Sequence, residues 1–126
     1  MTTIAKTGIT AGATAGTADH PIRIEPAPGT VRVLLGGATV ADSSRALILR
    51  ESTYPPVFYV PRADVSLDRL APSGTRTHCP YKGDASYFAH DGRDVAWSYE
   101  TPFAPVAAIA GHVAFYPDRV DDISAG

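Results

Sequence analysis

The stretch SYFAHDGRDVAWSY, residues 86–99, limits the fold more than any other part of the chain. Asp91-Gly92 is a two-residue turn of the type that needs positive φ at both central positions, and the flanks alternate in character. A chain that reverses here forms an antiparallel hairpin, and a hairpin needs further strands to be stable in water. The turn predicts a register: His90 opposite Arg93, Phe88 opposite Val95, Ser86 opposite Trp97. Side chains alternate across a strand. Ser86, Phe88, Val95, Trp97 and Tyr99 are therefore expected on one face, the core. Tyr87, Ala89, Ala96 and Ser98 are expected on the other, where one Tyr among small residues leaves room for a further layer or a ligand.

The remaining chain reads as short strands of the same kind. VRVLL and ATVAD flank Gly36-Gly37, a second hairpin signal. RALILRE is mostly apolar and predicts a strand buried on both faces. VFYVP is a strand entered through Pro55-Pro56 and ended by Pro61, and ADVSLDRL holds a turn or a short strand. HVAFYPDRV returns as a strand. Only TPFAPVAAIAG predicts a helix, with Thr101 as N-cap, Pro102 near the first turn and Gly111 after the end. Residues 1–19 are Thr, Ala and Gly with little apolar bulk, so they predict a flexible tail. Residues 20–126 then form a single domain. The expected class is mostly β, an antiparallel two-sheet fold or an open barrel with one short helix.

Composition excludes several functions. A chain of 126 residues supports one domain. Its net charge is −2, from 11 Lys and Arg against 13 Asp and Glu, and no basic stripe is present, so nucleic acid is not an expected partner. No apolar run reaches the length of about 18 residues that a membrane helix needs, and no membrane association is expected. The N-terminus has no apolar signal region, which makes the cytoplasm the default compartment. A single Cys rules out an internal disulfide and a Cys-based zinc site. No two of the four His residues stand at metal-ligand spacing, so neither metal nor cofactor is expected.

The chemistry concentrates in THCPYKGDASYF, residues 77–88. Pro80 fixes φ and Gly83 permits positive φ, so Cys79 to Gly83 predicts a tight bend. A Cys or Lys held on such a bend beside an apolar sheet is open to a shifted pKa. Lys82 is a candidate cation for an anionic ligand, or a nucleophile if desolvated. The bland alternative stands beside it: a lone Cys is most often a small buried apolar group, and a Lys before Gly in a turn is most often solvated. Arg62 and Asp64 form either a weak surface pair or an anchor for a carboxylate or phosphate. There is no phosphate-binding glycine loop and no nucleophile elbow for a serine hydrolase.

The runs PGTVRVLLGGATVADSSRALIL, VFYVPRADV, THCPYKGDASYF, VAWSYETP and AAIAGHVAFYPDRV resemble the bacterial and fungal domain-of-unknown-function family 427. The resemblance covers residues 22–123. Its most specific strings are T-x-C-P-x-K-G-x-A-x-Y, A-W-x-Y and A-F-Y-P. It implies a small β-tent (Mss4-like) architecture of two antiparallel sheets leaning together, here without the zinc-binding Cys pairs of other tent folds. The family is sometimes labelled a nucleotidyltransferase, a label these residues do not support. The signature positions fall on Tyr59, Pro61, Arg62, Thr77, Cys79, Pro80, Lys82, Gly83, Tyr87, Trp97, Tyr99 and Tyr116, several of them polar or aromatic.

The resulting expectation is a pocket for a small metabolite between the sheets. Lys82, Cys79 and Tyr87 are the candidate catalytic residues, with Lys82 or a Tyr as acid or base. Tyr59, Arg62, Thr77, His78, Tyr81, Tyr99 and Tyr116 are the candidate ligand contacts. The rival expectation is a non-catalytic module that binds a peptide or forms a homodimer through an exposed sheet edge.

Overall fold

A computed structural model describes residues 13–126, and residues 1–12 of the expected tail lie outside the described residues. Eleven strands follow in order: β1 (Ala13–Gly16), β2 (Pro21–Pro26), β3 (Val31–Leu35), β4 (Ala38–Ser43), β5 (Leu47–Glu51), β6 (Val57–Tyr59), β7 (Ala71–Cys79), β8 (Gly83–His90), β9 (Arg93–Tyr99), β10 (Val113–Phe115) and β11 (Asp122–Ala125). They form three antiparallel sheets rather than two, in the orders β1-β2-β5-β6, β10-β9-β8-β7 and β11-β3-β4. None of the three closes into a barrel. Part of the expected tail is a strand: β1 pairs with β2, Ala13 opposite Ile24 and Gly16 opposite Pro21. Backbone pairing there needs no apolar side chains, so composition alone did not mark it.

Both predicted hairpin turns are present. Gly36 and Gly37 have φ of 59° and 79°, and Asp91 and Gly92 have φ of 52° and 77°. These are the left-handed conformations that match the twist of the flanking strands. The register beyond Asp91-Gly92 differs from the expected one. His90 does pair with Arg93, but Ala89 pairs with Asp94 and Phe88 with Ala96. Val95 is the extra residue of a β-bulge, and it moves every later partner by one. Tyr87 therefore faces Trp97, and Ala85 faces Tyr99. The bulge gathers Tyr87, Trp97 and Tyr99 on one face instead of separating them.

The expected helix is a pair of 3-10 turns over Ala104–Ile109, broken at Val106, with Phe103 rather than Thr101 at the cap position and no side-chain cap. Six residues are too few to sustain an α-helical ladder on their own, and the backbone leaves helical geometry at Val106. Its inward residues, Val106 and Ile109, are still fully buried. Gly111 does take the positive φ expected after the helix end, at 70°.

Two cores result, and a shared wall divides them. Backbone bonds in both directions between Val60 and Val113, each 2.8 Å, join β6 to β10 and make the first two sheets continuous. In β5, Ile48 faces one core while Leu47 and Leu49 face the other, as a strand buried on both faces requires. In β10, Val113 and Phe115 go to the first core and Ala114 to the second. The first core lies against β3 and β4. The second gathers Ile22, Ile24, Leu49, Tyr59, Tyr99, Val106 and Ile109. Full burial of a side chain such as Leu49 contributes about 1.5–3 kcal/mol. The second core also carries the polar groups of the candidate site on its rim.

Candidate functional site

The turn between β7 and β8 is closed by the Lys82 amide donating to the Cys79 carbonyl at 3.3 Å. Gly83 follows with φ of 112°, a conformation that L side chains rarely adopt. The Lys82 carbonyl accepts from the Phe103 amide at 3.0 Å, so the bend is held from both ends. This geometry sends the Lys82 side chain inward, where it is only 8% exposed. Its Nζ donates to Glu51 Oε1 at 2.5 Å and lies 5.9 Å from the centre of the Tyr99 ring.

Glu51 ends β5, and its second oxygen, Oε2, is 2.7 Å from Nε2 of His20. His20 stacks on Tyr81 with ring centres 4.1 Å apart and meets Tyr54 edge-on at 5.8 Å. One carboxylate thus joins three segments: the approach to β2, the end of β5 and the bend before β8. Burial works to raise the Glu51 pKa. The hydrogen bonds and charges of Lys82 and His20 outweigh it and hold the carboxyl below its ordinary value.

A group of hydroxyls and one thiol adjoins this cluster. Tyr59 is buried, and its hydroxyl accepts from Trp97 Nε1 at 3.2 Å. Burial pushes the Tyr59 and Tyr99 hydroxyls far above the ordinary tyrosine range. Tyr59 and Tyr99 lie in the second core, and Cys79, Tyr81, Tyr87 and Trp97 pack against it, which places these groups in one neighbourhood. Cys79 is a half-buried free thiol packed on the second core. Tyr87 shares a hydrogen bond of 2.8 Å with the Thr77 hydroxyl. Tyr116 stacks obliquely on Trp97 at 4.6 Å, and its hydroxyl is pushed up to about 12, first by burial and then by Tyr87.

The structure thus brings together Lys82, Cys79, Tyr59, Tyr81, Tyr87 and Tyr99, with Thr77 and Tyr116 at the margin. Arg62 and His78 stand apart. Arg62 pairs with Glu100 and lies over Phe88, on the face of β8 opposite Tyr87. His78 is exposed and bonds Asp84 at 2.7 Å. Sequence reasoning missed Glu51 and His20. The available signal was indirect: an inward Lys needs a carboxylate, and Glu51 closes an apolar strand. Among the described residues no group of His, Cys, Asp and Glu is arranged to hold a metal ion. No described helix is long and apolar enough to cross a membrane.

A family model described as Domain of unknown function (DUF427) matches residues 23–126. The chain belongs to the DUF427 family. The match includes strands of all three sheets, without β1 and the start of β2, and carries Lys82 and Glu51 but not His20, which lies just before it. A search of curated proteins finds no match for the chain. Within the DUF427 domain, several residues that carried the sequence resemblance, Tyr59, Cys79, Tyr87 and Tyr99, belong to or pack on the core that Lys82 adjoins, whereas Arg62 stands apart from it.

Proposed function

We propose that the DUF427 domain binds a small metabolite carrying a carbonyl or anionic oxygen beside Lys82 and acts on it by acid–base chemistry. The observation that supports this reading is the buried Lys82–Glu51–His20 chain, set among tyrosine hydroxyls that burial keeps neutral. Shifted titratable groups that cluster in this way mark functional sites more often than chance. A buried ion pair contributes little stability over an apolar pair of the same volume, so stability alone is a weak reason to keep one. Glu51 accepts one N–H of Lys82 at 2.5 Å in a close ion pair. Lys82 then serves as proton donor to a ligand oxygen rather than as an amine nucleophile, and its N–H groups beyond the one on Glu51 can point to the ligand. Tyr99 and Tyr59 are the neutral donors beside it, and Cys79, Tyr81 and Tyr87 border the approach.

The test separates binding from folding. Lys82→Met alone strands Glu51, so Lys82→Met is combined with Glu51→Gln, which keeps a partner for His20. Wild type and the double variant are screened by thermal shift against carbonyl and carboxylate metabolites. The expected result is hits for wild type that vanish in a double variant of similar melting temperature. Hits that persist unchanged would remove Lys82 from the site.

A second reading rests on β7. This nine-residue strand is the edge of its sheet and is exposed over most of its length. Arg76 takes up the Ser73 and Thr75 carbonyls, which leaves the remainder of this edge as the part open to an added strand. A dimer or bound peptide on this edge would be lost with Thr77→Pro, measured by light scattering after gel filtration.

A further inference from the structure

Among the described residues a concavity opens that neither Lys82 nor Glu51 lines. A cleft of about 460 Å³ opens where the three sheets meet. Its floor is Val31, Val33, Val60 and Phe115, its side is Trp97, and residues 54–58, Pro117 and Ile123 complete the rim. The volume lies in the range of small-molecule sites, about 300–1,000 Å³.

We propose that this cleft is a binding site for a neutral, apolar small molecule with an aromatic or branched hydrocarbon body. This goes beyond the acid–base reading at Lys82 and does not depend on it. Three observations carry the proposal. First, none of the residues that line the cleft is charged. An anion or cation there would be desolvated without a partner, which costs several kcal/mol per ion. Second, the one indole N–H in the wall is already committed to Tyr59, so the wall presents ring faces and methyl groups. Third, the cleft is backed by packed core, with Val31, Val33 and Val60 at most 1% exposed. Its accessible surface belongs to the half-buried Val57, Phe58, Trp97 and Ile123, which offer ring faces and aliphatic groups to a compact ligand. The exposed Tyr54-Pro55-Pro56 segment forms one lip of the entrance.

Trp97 is the only tryptophan of the chain and stands in the cleft wall, so its fluorescence responds to a probe bound there, and the filling variants below tie that response to the cleft. The full chain is titrated with N-phenyl-1-naphthylamine and, separately, with anilinonaphthalene sulfonate, which has the same rings and a negative charge. The expected result is saturable quenching of Trp97 by the neutral probe, with the charged probe weaker by about tenfold or more. Ile123→Phe, which fills the cleft from β11, is expected to weaken the neutral probe by a similar factor at unchanged melting temperature. Val57→Phe fills it from β6 and replaces Ile123→Phe if that variant fails to fold. Absence of saturable quenching, equal affinity for the two probes, or binding that a folded filling variant leaves intact would each overturn the proposal.

Discussion

Trp97 separates two regions that are made alike and behave as opposites. On one side its indole N–H reaches Tyr59, whose hydroxyl feels the charge of Glu51 and so adjoins the Lys82 cluster. On the other side it walls the apolar cleft. Both regions are assembled from strand ends of different sheets. In the first, each charged group meets a partner brought from elsewhere in the chain, Lys82 to Glu51 and Glu51 to His20. In the second, no charge is present and no partner is needed. The difference teaches where the domain is brittle. Removing one member of the charged cluster takes a partner from a largely buried charge, whereas removing a wall residue of the cleft mainly enlarges an existing space.

The largest effect is therefore expected from Lys82→Met. It leaves Glu51 partly buried without its cation and should cost about 3–5 kcal/mol in urea unfolding. Adding Glu51→Gln should restore most of that loss, since the stranded charge is gone. A single variant as stable as wild type would mean that the cluster is solvated and no more brittle than the cleft.

Trp97→Ala comes next, at about 3 kcal/mol, the low end for a large aromatic residue because one side already borders open space. The variant also removes the N–H partner of the buried Tyr59 hydroxyl. Equilibrium unfolding measures it. A cost below about 1 kcal/mol would show that the cleft wall carries little of the packing between the cores.

Acid should act on one region only. The folded-state pKa of Glu51 lies below its unfolded value of 4.5, so its contribution is present above that value and is lost as pH falls through the folded pKa. Lys82→Met/Glu51→Gln lacks this titration. The stability of wild type relative to the double variant should fall as pH drops below about 4.5, and Ile123→Phe, which touches only the cleft, should track wild type throughout. A gap that stays constant across that window would mean that Glu51 is not held ionised by Lys82 and His20.

What the sequence revealed follows the range of the interactions. The two hairpins were legible because Gly36-Gly37 and Asp91-Gly92 each encode their turn within two residues. The bend at Cys79 to Gly83 was legible for the same reason. The register past Asp91 was not, since a bulge at Val95 shifts every later partner by one and no turn residue marks it. β11 was missed because Asp122, Ser124 and Ala125 give no apolar alternation, yet they pair with a buried strand. Among the site residues, Cys79, Tyr81, Lys82 and Tyr87 stand within one hairpin and could be named together. Glu51 lies 31 residues away on another sheet, and His20 another 31 before it. The cleft draws its walls from separate segments, none of which is unusual alone.

The smallest expected effect probes whether the two regions are separate. Tyr54 belongs to both: it lines the mouth of the cleft and its ring meets His20 edge-on at 5.8 Å. It is 61% exposed, so Tyr54→Ala should change stability by no more than about 0.5 kcal/mol. His20→Gln keeps a donor for Glu51 while removing the ring that Tyr54 and Tyr81 touch. A double-mutant cycle of Tyr54→Ala and His20→Gln isolates the coupling between them. A buried edge-to-face pair contributes about 0.5–1.5 kcal/mol, and exposure of Tyr54 places this pair at the bottom of that range. Coupling near 0.5 kcal/mol would make Tyr54 a weak seam between independent regions. Coupling well above 1 kcal/mol would join the charged cluster and the cleft into one unit, and filling the cleft with Ile123→Phe should then also alter ligand binding at Lys82.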